Sequence, residues 1–136
     1  MKKRILIVSA KYYEDIYKTL LTTTIDRLSE DKQCTYATLS VPGVFEIPYL
    51  ISMNIEKYDA CVALGCVIKG ETPHFEFISQ ATTNAILQLS IDHKKPIGNG
   101  IITCLNKKQA VIRALKKGKE AASAALTLYD LSMLTK

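Results

Sequence analysis

Short apolar segments alternate with longer segments of helical periodicity, and this alternation constrains the fold more than any other feature of the chain. Residues 5–8 form a continuous apolar run, as expected of a strand that helices cover on both faces. Ile16, Leu20 and Leu28 then follow helical spacing. Because successive parallel strands need long right-handed crossovers, the alternation predicts a parallel sheet.

Periodicity and turn residues predict the bounds of each element. The predicted strands are 4–9, 35–41, 59–64 and 97–103, and the predicted helices are 14–30, 46–57, 74–92, 106–117 and 119–133. Gly118 separates the last two helices, and Asn106 is a predicted cap. We expect one domain, residues 1–136, folded as a three-layer α/β/α sandwich with a four-stranded parallel sheet of flavodoxin-like order 2-1-3-4.

Composition is that of a soluble globular protein, because 48% of the residues are hydrophobic and 23% are charged. No apolar run approaches the ~20 residues needed to cross a bilayer. The basic start, residues 1–4, resembles a signal peptide, but the apolar stretch 5–10 is too short for one. The sequence therefore predicts a cytoplasmic protein that does not bind membranes.

The net charge of +5 comes largely from a basic segment near the end of the chain. Its members are Lys107, Lys108, Arg113, Lys116, Lys117 and Lys119. Most of them fit a solvated helix face, and the alternative is a positive field that attracts a phosphorylated small molecule. Nucleic acid is not predicted as a partner, because the segment lacks interleaved aromatic residues and any known reader motif.

The sequence contains no pattern typical of a cysteine metal site, a nucleotide-binding loop or a hydrolase nucleophile. Cys34, Cys61, Cys66 and Cys104 include no C-x-x-C pair, so we expect reduced, mostly buried thiols and no metal site. Cys61 and Cys66 are five residues apart and are predicted to face opposite sides of one strand. The G-x-G at 98–100 does not open a helix, and the chain has no Walker A motif or G-x-S-x-G elbow.

A loop between a predicted strand and a predicted helix carries the residues best suited to chemistry. Backbone N–H groups of Gly70, Glu71 and Thr72 can face an anion there, and His74 follows at the helix start. Ligands of α/β sheets bind at this carboxyl edge, and an imidazole can accept and donate a proton near neutral pH. The alternative for His74 is a packing role beside its phenylalanine neighbours. His93, in a polar turn, is expected to be only solvated.

Three segments then identify the chain as similar to a known family. They are VPGVFEIP at 41–48, GCVIKGETPHF at 65–75 and QAVIRA at 109–114. With them the chain resembles the lumazine synthases nearly end to end. The resemblance implies condensation of 5-amino-6-(D-ribitylamino)uracil with 3,4-dihydroxy-2-butanone 4-phosphate. The products would be 6,7-dimethyl-8-ribityllumazine, phosphate and water, formed without metal or organic cofactor.

The resemblance also implies a role for individual residues. His74 matches the general acid/base, Tyr12 matches an aromatic residue that stacks on the pyrimidine, and Arg113 matches the guanidinium that binds phosphate. The segment that holds the ribityl chain and ring is Val44, Phe45 and Glu46, and the strand end that reads the pyrimidine through its backbone is Cys66, Val67 and Ile68. Glu71 and Thr72 match the phosphate loop. Asn99 and Lys117 match further substrate-binding positions.

Four features depart from the pattern of the family. Asn99 stands where phenylalanine is frequent, Lys69 replaces an arginine, and Tyr13 replaces the asparagine that usually follows the stacking aromatic residue. The segment between Arg113 and Gly118 is also a few residues shorter than in familiar members.

The family resemblance further implies a homo-oligomer, either a pentamer or a sixty-subunit shell of pentamers. Tyr12, the segments 44–46 and 66–68, Glu71, Thr72 and His74 would then come from one subunit and Asn99, Arg113 and Lys117 from its neighbour. The small-residue stretch 121–126 would pack either around the ring axis or on its own sheet. Two other functions stay open: an archaeal-type riboflavin synthase, and a non-catalytic shell protein that binds lumazine or flavin.

Overall fold

The computed structural model describes residues 2–136, and its four strands form one parallel sheet. β1 (Lys3–Ala10) lies between β2 (Cys34–Val41) and β3 (Ala60–Ile68), and β4 (Ile97–Cys104) forms the edge beyond β3. All three pairings are parallel. The predicted order, 2-1-3-4, is confirmed.

Four α-helices cover the two faces of this sheet and complete the predicted three-layer sandwich. They are α1 (Glu14–Ser29), α2 (Ile47–Asn54), α3 (His74–His93) and α4 (Lys107–Leu134), and short 3-10 helices at Val44–Glu46 and Ile55–Lys57 flank α2. Helices α1 and α4 pack on one face, whereas α2 and α3 pack on the other.

The hydrophobic core is therefore split into two layers by the sheet, and β1 supplies both. Ile5 and Ile7 belong to the layer under α1 and α4, while Leu6 and Val8 belong to the layer under α2 and α3. All four side chains are fully buried, because successive strand residues alternate between two covered faces. Burying each such side chain stabilises the fold by about 1.5–3 kcal/mol.

Helix α4 is continuous, so the prediction that Gly118 separates two helices is wrong. Gly118 is buried in the middle of α4, where α4 crosses α1. A methyl group at this position would meet the Thr23 hydroxyl and would lie 2.5 Å from the Leu20 carbonyl oxygen. The glycine thus permits a close helix–helix approach, and its lower helix propensity, about 1 kcal/mol, does not end a helix that packing supports.

The structure extends β3 beyond its predicted end at residue 64. Residues 65–68 stay in the sheet because β4 continues to pair with them, up to the pair Ile68 and Cys104. The small-residue stretch 121–126 packs largely on its own sheet, since Ala121, Ala122 and Ala125 are buried in the layer that α1 and α4 cover.

The cysteines behave as the sequence predicts. All four are free thiols, and Cys61 and Cys66 lie in different core layers, hence on opposite faces of β3. Within residues 2–136, no group of three or more His, Cys, Asp or Glu side chains is arranged to hold a metal ion. None of the helices in that range is long and apolar enough to cross a membrane.

His93 is not simply solvated, contrary to expectation. Its Nδ1 lies 2.6 Å from Glu56 Oε1, and this hydrogen bond lowers the pKa of the Glu56 carboxyl group. Next to it, Lys94 adopts a left-handed backbone conformation with φ 54°, which turns the chain after α3. The Lys95 ammonium then donates to the Tyr58 carbonyl oxygen at 2.7 Å. These contacts tie the end of α3 to the segment that precedes β3.

Candidate active site

The carboxyl ends of β1, β2 and β3 enclose a cleft of about 600 Å³. The residues that line it are Tyr12, Tyr13, Gly43, Val44, Phe45, Glu46, Cys66, Val67, Ile68, His74 and Ile78. The cleft therefore brings together the residues that the family resemblance assigns to the pyrimidine, the ribityl chain and acid/base catalysis. Glu71 and Thr72 lie in the adjacent loop but do not line the cleft.

Two aromatic side chains present exposed rings in the cleft. Tyr12 follows the end of β1 and is 75% exposed, while Phe45, in the 3-10 helix after β2, is 64% exposed. Large aromatic rings are usually buried on folding, so two exposed rings in one cleft suit a planar ligand. A heteroaromatic ring can stack on these exposed side chains with the backbone as it stands.

The Glu46 carboxylate is fixed by the backbone next to it. The Gly43 N–H donates a hydrogen bond to Glu46 Oε1 at 2.9 Å, which leaves the second carboxylate oxygen available. Val44 anchors the same short helix on β3 because Gly65 has no side chain. A methyl group at Gly65 would lie 2.5 Å from Val44 Cγ1. Glu46 is thus an oriented acceptor suited to substrate hydroxyl groups.

His74 is the first residue of α3 and lies at the end of the loop that follows β3. Its backbone N–H donates to Thr72 Oγ1 at 3.5 Å, and the Glu76 and Phe77 N–H groups donate to the Pro73 carbonyl oxygen at 3.1 and 3.3 Å. Across the same loop, Lys69 Nζ lies 3.9 Å from Glu76 Oε1. His74 is exposed and lines the cleft beside the loop of residues 69–73.

The floor of the cleft offers no reactive thiol. Burial raises the pKa of Cys66 to about 12, and burial is also the main reason why the pKa of Tyr13 is raised. A thiol with so high a pKa is almost entirely protonated at neutral pH and is a poor nucleophile. What Cys66 offers a ligand is therefore its shape and its backbone rather than a thiolate.

The two cationic residues of the predicted site lie elsewhere, on a surface that we call the β4–α4 surface. A second pocket of about 450 Å³ marks it, lined by Ile101, Ile102, Thr103, Ile112, Arg113, Lys116, Lys117 and Glu120. Arg113 Nη1 donates to the Thr103 carbonyl oxygen at 3.1 Å. Asn99, also on β4, is exposed, and its Oδ1 accepts from the Ile101 N–H at 3.0 Å. None of these predicted residues lines the cleft of its own chain.

Sequence reasoning missed three residues that line the cleft. They are Tyr13, Gly43 and Ile78, and neither Gly43 nor Ile78 carries a chemical group that marks it in the sequence. Tyr13 had been noted only as a departure from the family. Its position directly after Tyr12, just beyond the end of a parallel strand, was a signal that could have placed it in the site.

The structure so far defines an α/β sandwich with a cleft at the carboxyl edge of its sheet, and aromatic rings, an oriented carboxylate and an imidazole line that cleft. The model of the family "6,7-dimethyl-8-ribityllumazine synthase" matches residues 2–133. The chain belongs to this family.

Curated relatives agree over nearly the whole chain. A 6,7-dimethyl-8-ribityllumazine synthase 1 from Rhodopseudomonas palustris is 43% identical, over 94% of this chain and 85% of the relative. The enzyme from Nitrobacter hamburgensis is also 43% identical, with the same coverage of both chains. The enzyme from Agrobacterium fabrum is 40% identical over 96% of this chain and 95% of the relative.

Family membership makes this chain a transferase of riboflavin biosynthesis. Its reaction is the condensation that the resemblance implied, which yields 6,7-dimethyl-8-ribityllumazine. The two alternatives, an archaeal-type riboflavin synthase and a non-catalytic shell protein, are not favoured by these relatives.

Proposed function

We propose that the cleft binds 5-amino-6-(D-ribitylamino)uracil and that His74 transfers protons during its condensation with 3,4-dihydroxy-2-butanone 4-phosphate. The observation that carries this proposal is that Tyr12, Glu46 and His74 line one cleft in a member of this family. Aromatic face, acceptor and proton carrier are the three functions that a ribitylated pyrimidine with a reacting amine requires.

The pyrimidine ring is proposed to stack on Tyr12, whose exposed ring needs only a flat partner. The backbone of residues 66–68 at the end of β3 reads the polar edge of the ring. The free oxygen of Glu46 accepts hydrogen bonds from ribityl hydroxyl groups, because its other oxygen is held by the Gly43 N–H. Val44 and Phe45 enclose the remainder of the pyrimidine substrate.

The chemistry needs little more than positioning and proton transfer. The amine and the ketone condense to an imine, phosphate leaves, and a second carbonyl closes the new ring. Holding two substrates in register provides much of the acceleration, since effective molarities of oriented groups are large. We propose that His74 adds general acid/base catalysis, which is typically worth about 10²–10⁴-fold.

The phosphate group is proposed to bind between subunits. Among the described residues that line the cleft there is neither Arg nor Lys, although a phosphate dianion is best held by such cations. Arg113 and Lys117 supply them on the β4–α4 surface. A head-to-tail contact that brings this surface of one copy to the cleft of the next would complete the site, with Glu71 and Thr72 at the junction and Asn99 on the incoming strand.

This arrangement calls for a cyclic homo-oligomer. We propose a pentamer, alone or assembled into a sixty-subunit shell, that acts on small molecules in the cytoplasm. Light scattering measures the mass of the particle in solution and separates these two states. A monomer that is fully active would contradict the proposal.

The product assay tests the function directly. The purified protein is incubated with both substrates, and formation of the fluorescent lumazine is followed, with each substrate omitted in turn as a control. We expect product only when both are present. Conversion of the lumazine itself to riboflavin would instead indicate the riboflavin synthase alternative, and binding without turnover would indicate a shell protein.

A further inference from the structure

Tyr13 lies directly behind the exposed ring of Tyr12. The two ring centroids are 4.9 Å apart and the ring planes meet at 83°, which is an edge-to-face contact. Tyr13 is only partly exposed and packs against the core layer under α1 and α4. One ring of the pair is therefore anchored in the protein, while the other projects into the cleft.

A cation from another helix braces the anchored ring. Lys107, the first residue of α4, places its Nζ 5.8 Å from the centroid of the Tyr13 ring and 3.3 Å from Asp15 Oδ1. Asp15 lies in the first turn of α1, two residues after Tyr13. The ammonium thus joins the start of α4 to the start of α1, in a geometry where a cation is attracted to an aromatic face.

An exposed aromatic side chain does not stack efficiently unless something restricts its rotamers. Ordering a mobile side chain on binding has an entropic cost, which weakens the affinity for the ligand. An edge-to-face contact supplies that order before the ligand arrives, since such aromatic pairs have preferred geometries. Tyr13 occupies the position from which the Tyr12 ring can be held.

We infer that Tyr13, braced by Lys107, is a positioning residue that holds the Tyr12 ring in the orientation in which it stacks on the pyrimidine substrate. This inference rests on the proposed function of Tyr12. Tyr13 acts through Tyr12, and its effect falls on recognition of the pyrimidine. It leaves the binding of the butanone phosphate and the proton transfer by His74 unchanged.

The test is a set of single variants assayed with both substrates. Tyr13→Leu is expected to raise KM for the pyrimidine by about two- to tenfold, the range that an aromatic pair provides. KM for the butanone phosphate and kcat are expected to stay within about twofold of the parent values, which is less than the effect of losing an aromatic pair. Tyr13→Phe keeps the ring and retains the parent KM. Tyr129→Leu is the matched control, because Tyr129 is also partly exposed, has its own cation–π contact with Lys3 and lies outside the cleft.

A double-variant cycle with Tyr12→Leu separates the inference from the proposal beneath it. If Tyr12→Leu leaves KM for the pyrimidine unchanged, the proposed stacking role of Tyr12 is wrong. If Tyr12→Leu raises this KM and Tyr13→Leu raises it by the same factor with or without the Tyr12 ring, the two rings act independently and the inference is overturned. The expected result is that Tyr13→Leu has little further effect once the Tyr12 ring is gone.

Lys107→Gln keeps the test decisive should Tyr13→Leu fail to fold, because it leaves both rings in place. It is expected to raise KM for the pyrimidine by up to about fivefold, the range of an exposed cation–π contact. That increase should vanish in the Tyr12→Leu background. An unchanged KM in a folded Lys107→Gln protein would contradict the bracing role of Lys107.

Discussion

The cleft and the β4–α4 surface differ in the kind of chemistry that they offer. The cleft combines exposed aromatic rings, a fixed carboxylate and an imidazole, and its lining within the described residues includes no Arg or Lys. The β4–α4 surface combines Arg113, Lys116 and Lys117 with the apolar edge of a strand. One region can recognise a polar heteroaromatic ring, whereas the other can recognise an anion.

This separation is the reason why we propose that one copy of the chain is an incomplete enzyme for two substrates. The reacting carbon of the butanone phosphate must reach the amine in the cleft, but the strongest phosphate ligands lie on another surface of the same chain. A contact between copies removes the conflict. It also covers a cleft that is open in one chain, and exclusion of water strengthens the electrostatic interactions within it.

The largest effect is expected at His74, on the side of the cleft. His74→Ala should lower kcat by about 10²–10⁴-fold without abolishing activity, since substrate positioning remains. KM for the pyrimidine should hardly change. Measuring the rate against pH adds a second test, because the pH dependence that general acid/base catalysis gives the parent enzyme should change in the variant. An unchanged kcat would reduce His74 to a structural residue.

The counterpart on the β4–α4 surface is Arg113. Arg113→Ala should raise KM for the butanone phosphate by about 10- to 100-fold, because hydrogen bonds to charged groups are worth about 1.5–3 kcal/mol. KM for the pyrimidine should stay near its parent value. Steady-state assays in which one substrate is varied at a time give both constants. Equal, small changes in the two constants would refute the division between the two regions.

The close approach of α4 to α1 at Gly118 can be tested by substitution. Gly118→Ala inserts a methyl group against α1, 2.5 Å from the Leu20 carbonyl oxygen, and overpacking of this kind costs about 1–3 kcal/mol of the free energy of unfolding. The melting temperature should fall by several degrees. Gly70→Ala is the matched control for stability, since no atom lies within 4 Å of its added methyl group. Equal melting temperatures for the two variants would disprove the close approach of α4 to α1.

The smallest effect is expected at Lys117. Lys117 is partly exposed, and exposed ionic contacts contribute about 0.2–1 kcal/mol. Lys117→Ala should therefore raise KM for the butanone phosphate by at most about fivefold. Lys108→Ala, exposed on the same helix and away from both pockets, should have no effect on KM. Identical kinetics for the two lysine variants would show that Lys117 does not contribute to substrate binding.

Much of the fold followed from sequence because local signals agreed with the tertiary structure. Continuous apolar strands and helical spacing predicted a parallel sheet, and Asn106 does cap α4 by accepting from the Gln109 N–H at 2.9 Å. The errors lie where tertiary contacts override local preference. From the sequence alone, Gly118 is typical of a helix break. The structure shows instead that α1 lies too close to this position for a larger side chain. The last residues of β3 depend on β4, which lies far along the chain.

Sequence motifs predicted most of the residues that line the cleft, whereas only the family resemblance implied that Arg113 and Lys117 lie apart from them. Motifs placed Tyr12, Glu46 and His74 near strand ends, and parallel strands bring such ends to one edge. The contact between Tyr13 and Lys107 could not be predicted, since it joins the starts of two helices from opposite ends of the chain. The surface position of Arg113 depends in the same way on how α4 packs beside β4.

Complementation between impaired variants, assayed at a butanone phosphate concentration near the parent KM, tests most directly the claim that each site is shared by two copies. His74→Ala and Arg113→Ala chains, one of them tagged, are unfolded, mixed in equal amounts and refolded, and mixed oligomers are isolated. Random head-to-tail assembly should pair an intact cleft with an intact β4–α4 surface at about a quarter of the contacts, and should restore activity to match. If the mixed oligomers have no more activity than oligomers of either variant alone, each chain carries a complete site.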